Sequence, residues 1–387
     1  MTRGRARGRG PRQRQARGRS RVGERFEAVV GPIAHGGHAV MRLPEPEARV
    51  VFVRHAIPGE RVVVEITEGT DGDRFWRGDA VSILEASPDR VSAPCPYAGP
   101  GRCGGCDLQH VALAAQRELK ATVVREQLSR LAGLDVPVTV EAVPGDEDGL
   151  RWRTRQAYVH TPTGLGMRRY RSHEVIEVDD CLIARRDARE PAPGTVTETA
   201  DAAGTTHTFE VAADGFWQVH PGAPRALVET VLDQLDPRPG ESVLDLYAGV
   251  GLFAAFLADR VGAEGRVVAI EGDQRASALS TRNVPRAEAR AGDVATVLAS
   301  AYPESFDLVV LDPPREGARR PVVEAIAARA PRAVAYVACD PAALARDVAI
   351  FAEHGYRLEA LRAFDLFPMT HHVECVALLT KSASELR

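Results

Sequence analysis

No apolar run in the 387-residue chain is long enough to cross a bilayer, and its first residues lack the apolar core of a secretory signal. The expectation is a cytoplasmic protein with no membrane partner. Cysteine is scarce at six residues, and in a reducing compartment these point to metal binding or catalysis before disulfides. No internal repeat is evident. Residues 1–21 lack any acidic or aromatic residue but contain nine arginines. Without them the remaining chain has 40 basic against 53 acidic groups, a net charge of −13 where the whole chain has −4. Such a segment cannot bury enough apolar surface to fold. Two readings stay open for it, a disordered arm that binds phosphate backbones and a solubilising tail. The rest of a chain that is 44% hydrophobic is ample for two or three packed domains.

From residue 25 to 87 short β-rich runs alternate with turns: Phe26-Glu-Ala-Val-Val30, Val50-Val-Phe-Val53, Arg61-Val-Val-Val-Glu-Ile66 and Ala80-Val-Ser-Ile-Leu84. The breaks fall at His35-Gly-Gly37, Ile57-Pro-Gly-Glu60 and Gly69-Thr-Asp-Gly72. The pattern predicts a small five-stranded barrel. Through His35-Gly-Gly-His-Ala39, Phe52-Val53 and Ile57-Pro-Gly-Glu60 it resembles the TRAM domain, an OB-like RNA-binding module. A cysteine-rich loop over residues 95–106 precedes a helix expected over 108–131 and stopped by Gly133. Further β-rich stretches lie around Trp152 to Tyr158 and Gly164 to Tyr170, and residues 191–208 read as a loop or weak hairpin. From Pro224 helix and strand alternate, which implies a parallel sheet covered on both faces. Two last strands, residues 357–366 and 372–379, have no helix between them and predict an antiparallel hairpin at one edge.

Gly249-Val-Gly251-Leu-Phe-Ala254 fits the spacing of a dinucleotide fingerprint, with Glu271 twenty residues beyond Gly251. Spacing alone leaves a nicotinamide cofactor open. S-adenosylmethionine (SAM) is favoured by three acids at successive strand ends. Asp245 suits an ammonium, Glu271 the ribose hydroxyls, and Asp293 the adenine amino group; helix capping by Asp245 and a turn role for Asp293 are the plainer alternatives. Downstream, Asp312-Pro-Pro-Arg315 follows an apolar strand, and Cys339 ends the next one in Tyr336-Val-Ala-Cys339-Asp-Pro341. A thiol at a strand-to-helix turn beside such a cofactor suggests an electron-poor carbon that must first be activated covalently. Glu374, in an apolar strand, is costly unless paired or functional.

These motifs, together with Phe216-Trp-Gln218-Val and Phe367-Pro-Met-Thr-His-His-Val-Glu374, resemble the RNA uridine-C5 methyltransferase family across nearly all of residues 25–381. The resemblance implies an α/β fold: a Rossmann-like class I SAM-dependent methyltransferase domain, an N-terminal OB-like TRAM β-barrel and a small central α+β domain. It implies Cys339 as nucleophile and Glu374 as base, with Gln218, Asp245, Tyr247, Gly249, Gly251, Glu271, Asp293 and Asp312 around the cofactor and target. Leu252 departs from the asparagine common at that position. The expected segments are an arm over 1–22, the TRAM barrel over 23–88, a central domain over 89–215 and the catalytic domain over 216–387.

Cys95, Cys103, Cys106 and Cys181 supply four thiolates, and the two glycines of Cys103-Gly-Gly-Cys106 permit a tight loop with N–H groups aimed at sulfur. Spacing leaves zinc and an iron–sulfur cluster both open. Within the family, Cys-Gly-Gly-Cys followed by Asp107-Leu-Gln-His110 resembles the members that carry a [4Fe–4S] cluster. The implied partner is RNA, on the 23S ribosomal branch more than the transfer RNA branch, and no protein partner is implied. A non-catalytic RNA-binding protein is the competing class, which an intact Cys339 and Glu374 oppose. Cytosine-C5 methylation would place a Pro-Cys pair where this chain has Asp312-Pro-Pro.

Overall fold

Alternation along the N-terminal strands dictates a barrel. In Arg61–Glu68, Val62, Val64 and Ile66 point inward while Arg61, Val63 and Glu65 face out. The computed structural model describes residues 18–381. Five strands, β1 (Arg25–Ala34), β2 (His38–Arg42), β3 (Val50–Arg54), β4 (Arg61–Glu68) and β5 (Phe75–Glu85), close in the order β1-β2-β3-β5-β4 around Met41, Val51, Val53 and Trp76. The strand absent from the sequence reading is β2, which is short and directly follows the His35-Gly-Gly37 turn. In the Ile57-Pro-Gly-Glu60 motif the buried Glu60 accepts from the Ile57 and Ser87 amides and pairs with Arg90, closing the barrel's end. Of the expected disordered arm, residues 1–17 lie outside the described residues. Its last part is ordered instead: Ser20 bridges Thr70, and Arg21 pairs with Asp71 and Glu24 over the Trp76 ring.

This unit ends at Arg90, and a second begins at Val91 and also takes in His35–Gly37. The helix expected from residue 108 starts later. Helix α1 is Leu113–Gln127, continued by a wider turn over Leu128–Ala132 and stopped by Gly133 in the left-handed conformation. Residues 107 and 108 are held outside it because their amides donate to the Met369 carbonyl. After β6 (Val140–Glu141) come the short strands β7 (Arg153–Arg155), β8 (Val159–Thr161), β9 (Gly164–Arg168), β10 (Val175–Val178) and β11 (Ala184–Arg189). The weak hairpin expected near 191–208 is a regular one, β12 (Thr195–Ala202) and β13 (Thr205–Ala212), paired over eight residues. Ala200, Ala202, Phe209 and Val211 bury its inner face in the core shared with the following helices. That burial explains why a Thr- and Ala-rich segment is ordered.

The remaining elements are α2 (Ala223–Leu235), β14 (Ser242–Leu246), α3 (Leu252–Val261), β15 (Arg266–Glu271), α4 (Gln274–Asn283), β16 (Ala287–Ala291), α5 (Val294–Ala301), β17 (Leu308–Leu311), α6 (Arg319–Ala328), β18 (Ala333–Ala338), α7 (Pro341–Glu353), β19 (Tyr356–Phe364) and β20 (Glu374–Lys381). Their seven strands and β6 build one eight-stranded sheet, β16-β15-β14-β17-β18-β20-β19-β6. Its parallel strands are apolar on both sides because helices cover both faces, giving the two core layers around Leu227, Leu257 and Val310 and around Leu244, Val309 and Tyr336. The C-terminal hairpin lies beyond β18 as expected, but β6 pairs parallel with β19 and takes the edge. Among the described residues no helix is long and apolar enough to cross a membrane.

Candidate active site

Sheet register gathers the site. Leu246 of β14 pairs with Ile270 and Leu311, Leu311 pairs with Tyr336, and Ala338 pairs antiparallel with Cys375. Glu271, Asp245, Asp312, Cys339 and Glu374 therefore come out along one edge, where open α/β sheets bind ligands. The antiparallel pairing sets Cys339 across from Glu374.

The cofactor half is built on the turn after β14. Tyr247 and Gly249 both have positive φ, and the Gly249 amide donates to Glu271 Oε2 at 2.8 Å. Gly251 must be glycine: its φ is +95°, and a Cβ would lie 2.8 Å from Val284 Cγ2 and 2.9 Å from Ser280 Oγ. Asn283 donates to the Val250 carbonyl and fixes the turn from α4. Asp245 is buried; its Oδ2 accepts from the Ala254 amide at 2.8 Å, while Oδ1 has no hydrogen-bond partner. Burial, with Asp312 and Glu271 nearby, pushes its carboxyl up to about 8. An orphaned buried acceptor beside a glycine turn fits an incoming ammonium. Glu271 also accepts from Asp273 N, which leaves each oxygen one lone pair for a hydroxyl. Asp293 caps α5 by accepting from Thr296 N and Oγ1, so its plainer role is present and a second oxygen stays free of that cap. Gln218 is buried in the loop after β13, and Leu252 is buried at the start of α3.

The reaction half is acidic and dry. Burial and Glu271 push Asp312 up to about 7; burial and Asp312 push Glu374 well above the usual carboxylate range. Cys339 stands immediately before Asp340, the N-cap of α7, as expected from its sequence context. The expected thiolate preference does not follow. Burial, Glu374 and Asp312 push the thiol up to about 12 against the opposing pull of Arg315. Asp347, not singled out in the sequence, accepts from Tyr336 Oη at 2.6 Å and Ala318 N at 2.7 Å, and so pins the turn that follows Asp312-Pro-Pro-Arg315. Lys120 and Asp365 form a buried ion pair at 2.5 Å, with Lys120 also donating to the Phe367 carbonyl at 3.0 Å. Their signal was a lone lysine in a helix and a lone aspartate after a strand, too little to pair them across 245 residues.

None of the six cysteines, all of them among the described residues, is in a disulfide. Cys95, Cys103, Cys106 and Cys181 line one cavity of about 220 Å³ with Gln109, Arg153 and Met167. Gly105 N points to Cys103 Sγ at 3.4 Å, and Gln109 Nε2 to Cys106 Sγ at 3.2 Å. The expected ligands thus share a cavity. They do not converge on a point: among the described residues no group of three or more His, Cys, Asp or Glu is gathered as a single metal ion requires. Cys375 is buried in the sheet core.

A TRAM-domain model matches residues 19–81, a methyltransferase small-domain model residues 223–336, and a tRNA (Uracil-5-)-methyltransferase model residues 297–382. A protein of Streptomyces avermitilis named an uncharacterized RNA methyltransferase is 44% identical over 94% of this chain and all of its own length. The chain belongs to the SAM-dependent RNA uracil-C5 methyltransferase family. Another family member, the 23S rRNA (uracil(1939)-C(5))-methyltransferase RlmD of Chromohalobacter salexigens, is 32% identical over 90% of this chain and 88% of its own. The fold is that of the Pyrococcus abyssi tRNA (uracil-54, C5)-methyltransferase solved with S-adenosyl-L-homocysteine, at a TM-score of 0.69 and 21% identity over 92% of this chain and 100% of that one.

Proposed function

We propose that this enzyme forms 5-methyluridine in 23S ribosomal RNA through a covalent adduct between Cys339 and C6 of the target uracil. The observation that carries it is the antiparallel register that sets Cys339 across from Glu374, beside Asp312 and the glycine turn. Asp245 binds the donor's ammonium, Glu271 its ribose, Asp293 its adenine, and Gln218, Tyr247 and Asp312 line the space toward the target. SAM supplies the methyl group. Arg315 and the cationic donor both favour the Cys339 thiolate, which opposes the effect of the acids. The sulfur bonds to C6 and the C5–C6 π pair moves toward C4 as an enolate, so that C5 takes the methyl as its bond to the donor's sulfonium breaks and S-adenosylhomocysteine leaves. Glu374 then removes the C5 proton; the electron pair restores the C5–C6 double bond as the C6–S bond breaks. Burial, which makes Glu374 a stronger base, suits that step. The uracil must leave its stack to reach the strand ends.

The ribosomal target is supported by the RlmD relative together with the TRAM barrel and the cysteine cavity. Mapping 5-methyluridine in RNA from cells lacking the gene tests it: loss from 23S rRNA is expected, and loss from transfer RNA alone overturns the reading. The four cysteines hold a [4Fe–4S] cluster in the same proposal. A shared cavity with N–H donors to two sulfurs suits a cluster of several atoms more than one tetrahedral zinc. Anaerobically purified protein is expected to be brown, with about four iron and four sulfide per chain; a colourless, fully active zinc protein overturns this. Of the expected segments, the arm narrows to residues 1–17; residues 18–90 act as RNA-binding barrel, 91–215 as cluster-bearing segment and 216–387 as catalytic segment.

A further inference from the structure

The loop between β19 and β20, residues 365–373, leads directly into Glu374. The amide of its first residue, Asp365, donates to the Glu141 carbonyl of β6, α1 holds it through Gln116 and Lys120, and its later residues are bonded to the cysteine-rich segment. Asp107 directly follows Cys106. Its amide donates to the Met369 carbonyl at 2.9 Å, and the Leu108 amide donates to the same oxygen at 3.0 Å. The Asp107 carboxylate accepts from the His371 amide at 3.3 Å and meets His371 Nδ1 at 2.6 Å. Apolar packing runs the same way. Met369 and Phe367 share a small core with Trp152, Ile183, Cys106 and Cys181. Phe367 stands edge-on to both Trp152 and His372, and His372 Nε2 meets Arg315 Nη2 at 3.1 Å beside the Asp312-Pro-Pro turn. One wall of the cysteine cavity is thus continuous with the loop that precedes the base.

We propose that Asp107 is a positioning residue that ties the four-cysteine site to this loop, so that an intact cysteine site holds Glu374 where it can reach C5. The inference rests on the reading of Glu374 as base and of the four sulfurs as ligands of one group. A single acidic side chain bridging two segments 264 residues apart restrains the loop at little entropic cost once the cavity is formed. Small displacements matter, because a misplacement of about 1 Å costs up to ~10²-fold in rate.

The test uses the full chain purified anaerobically. Asp107→Ala should keep its iron, sulfide and SAM affinity, and should lower kcat by about tenfold or more while KM for RNA changes less than about twofold. Amides of residues 367–373 should exchange with deuterium faster than in the wild type. Asp107→Asn keeps an acceptor for the His371 amide and should restore most of both. Removing iron from the wild type with a chelator should loosen the same amides. Wild-type kcat and unchanged exchange in Asp107→Ala overturn the proposal. Should Asp107→Ala lose its iron, His371→Phe, which leaves the cysteine loop untouched, must show the faster exchange and lower kcat or the tie is wrong. A wild type that never contained iron refutes the cluster while the Asp107 comparison still decides the tie; adduct-free turnover refutes the mechanism and leaves the exchange result standing.

Discussion

Asp245 is costly to the ligand-free enzyme, since a carboxyl raised from 3.8 to about 8 binds its proton more tightly folded than unfolded. Its folded pKa lies above the unfolded one, so stability falls as pH rises from about 4 toward 8. Asp245→Asn should therefore melt above the wild type at about pH 8 without SAM and level with it near pH 4, while binding SAM poorly. A variant less stable at alkaline pH would remove the argument. The same carboxyl, with Asp312 near 7, must ionise to meet a cation. SAM affinity should rise with pH up to about 8 with protons released into the buffer, measurable by calorimetry in buffers of different ionisation enthalpy. At the reaction centre, Cys339→Ala should abolish methyl transfer while SAM binding survives. Glu374→Gln should allow methyl transfer but stall elimination, so that a protein–RNA adduct accumulates on denaturing gels; no excess over wild type would exclude Glu374 as the base.

Helix α1 contributes no group to the chemistry, yet its buried polar residues hold the β19–β20 loop. Gln116 accepts from Met369 N at 2.9 Å and donates to the Val111 carbonyl, and Lys120 pairs with Asp365. Lys120→Met leaves Asp365 buried with Arg117 Nε at 3.6 Å as its remaining cation, and should cost about 3–5 kcal/mol in urea unfolding. Lys120→Met with Asp365→Asn should recover much of that loss, since no charge stays uncompensated; equal destabilisation by single and double variants would mean that the pair itself is what stabilises. Gly251→Ala, which forces a Cβ into Val284 at the cofactor turn, should weaken SAM binding by about tenfold or more, a loss of roughly 1.4 kcal/mol.

Between the whole molecule and its RNA, charge and shape divide the work. Residues 1–17 carry seven arginines and no acidic residue, and such a charge run is expected to contribute phosphate-backbone affinity that falls steeply with salt. Deleting residues 1–17 should weaken RNA binding at low ionic strength and flatten its salt dependence, with the methylated position unchanged. Arg19 and Arg21 are spent on Glu24 and Asp71 and belong with the barrel. Deleting residues 1–88 should instead impair target recognition. A shift of methylation to another uridine on removing the arm alone would reverse these roles.

Much of this was legible from residue order. Glycine spacing, acids ending apolar strands, and a cysteine before Asp-Pro are local patterns, so the nucleotide-binding sheet and the barrel could be read without coordinates, and so could the strand-end positions of the proposed site residues. Gly133 as a helix stop and the final hairpin were legible for the same reason. Three-dimensional packing decided the rest. The strand β6 at the sheet edge, the ordered β12–β13 hairpin and the delayed start of α1 depend on partners more than a hundred residues away or on a shared core, which no local period records. It also reversed the expectation for Cys339. A helix start nearby favours a thiolate, but burial of the thiol and then the neighbouring Glu374 and Asp312 carboxyls raise its pKa, against the helix end. The sequence alone determined which groups the protein can offer to the proposed reaction; only the fold decided which contacts Asp107, Lys120 and Asp347 make, because a buried polar contact takes its meaning from the residue brought opposite it.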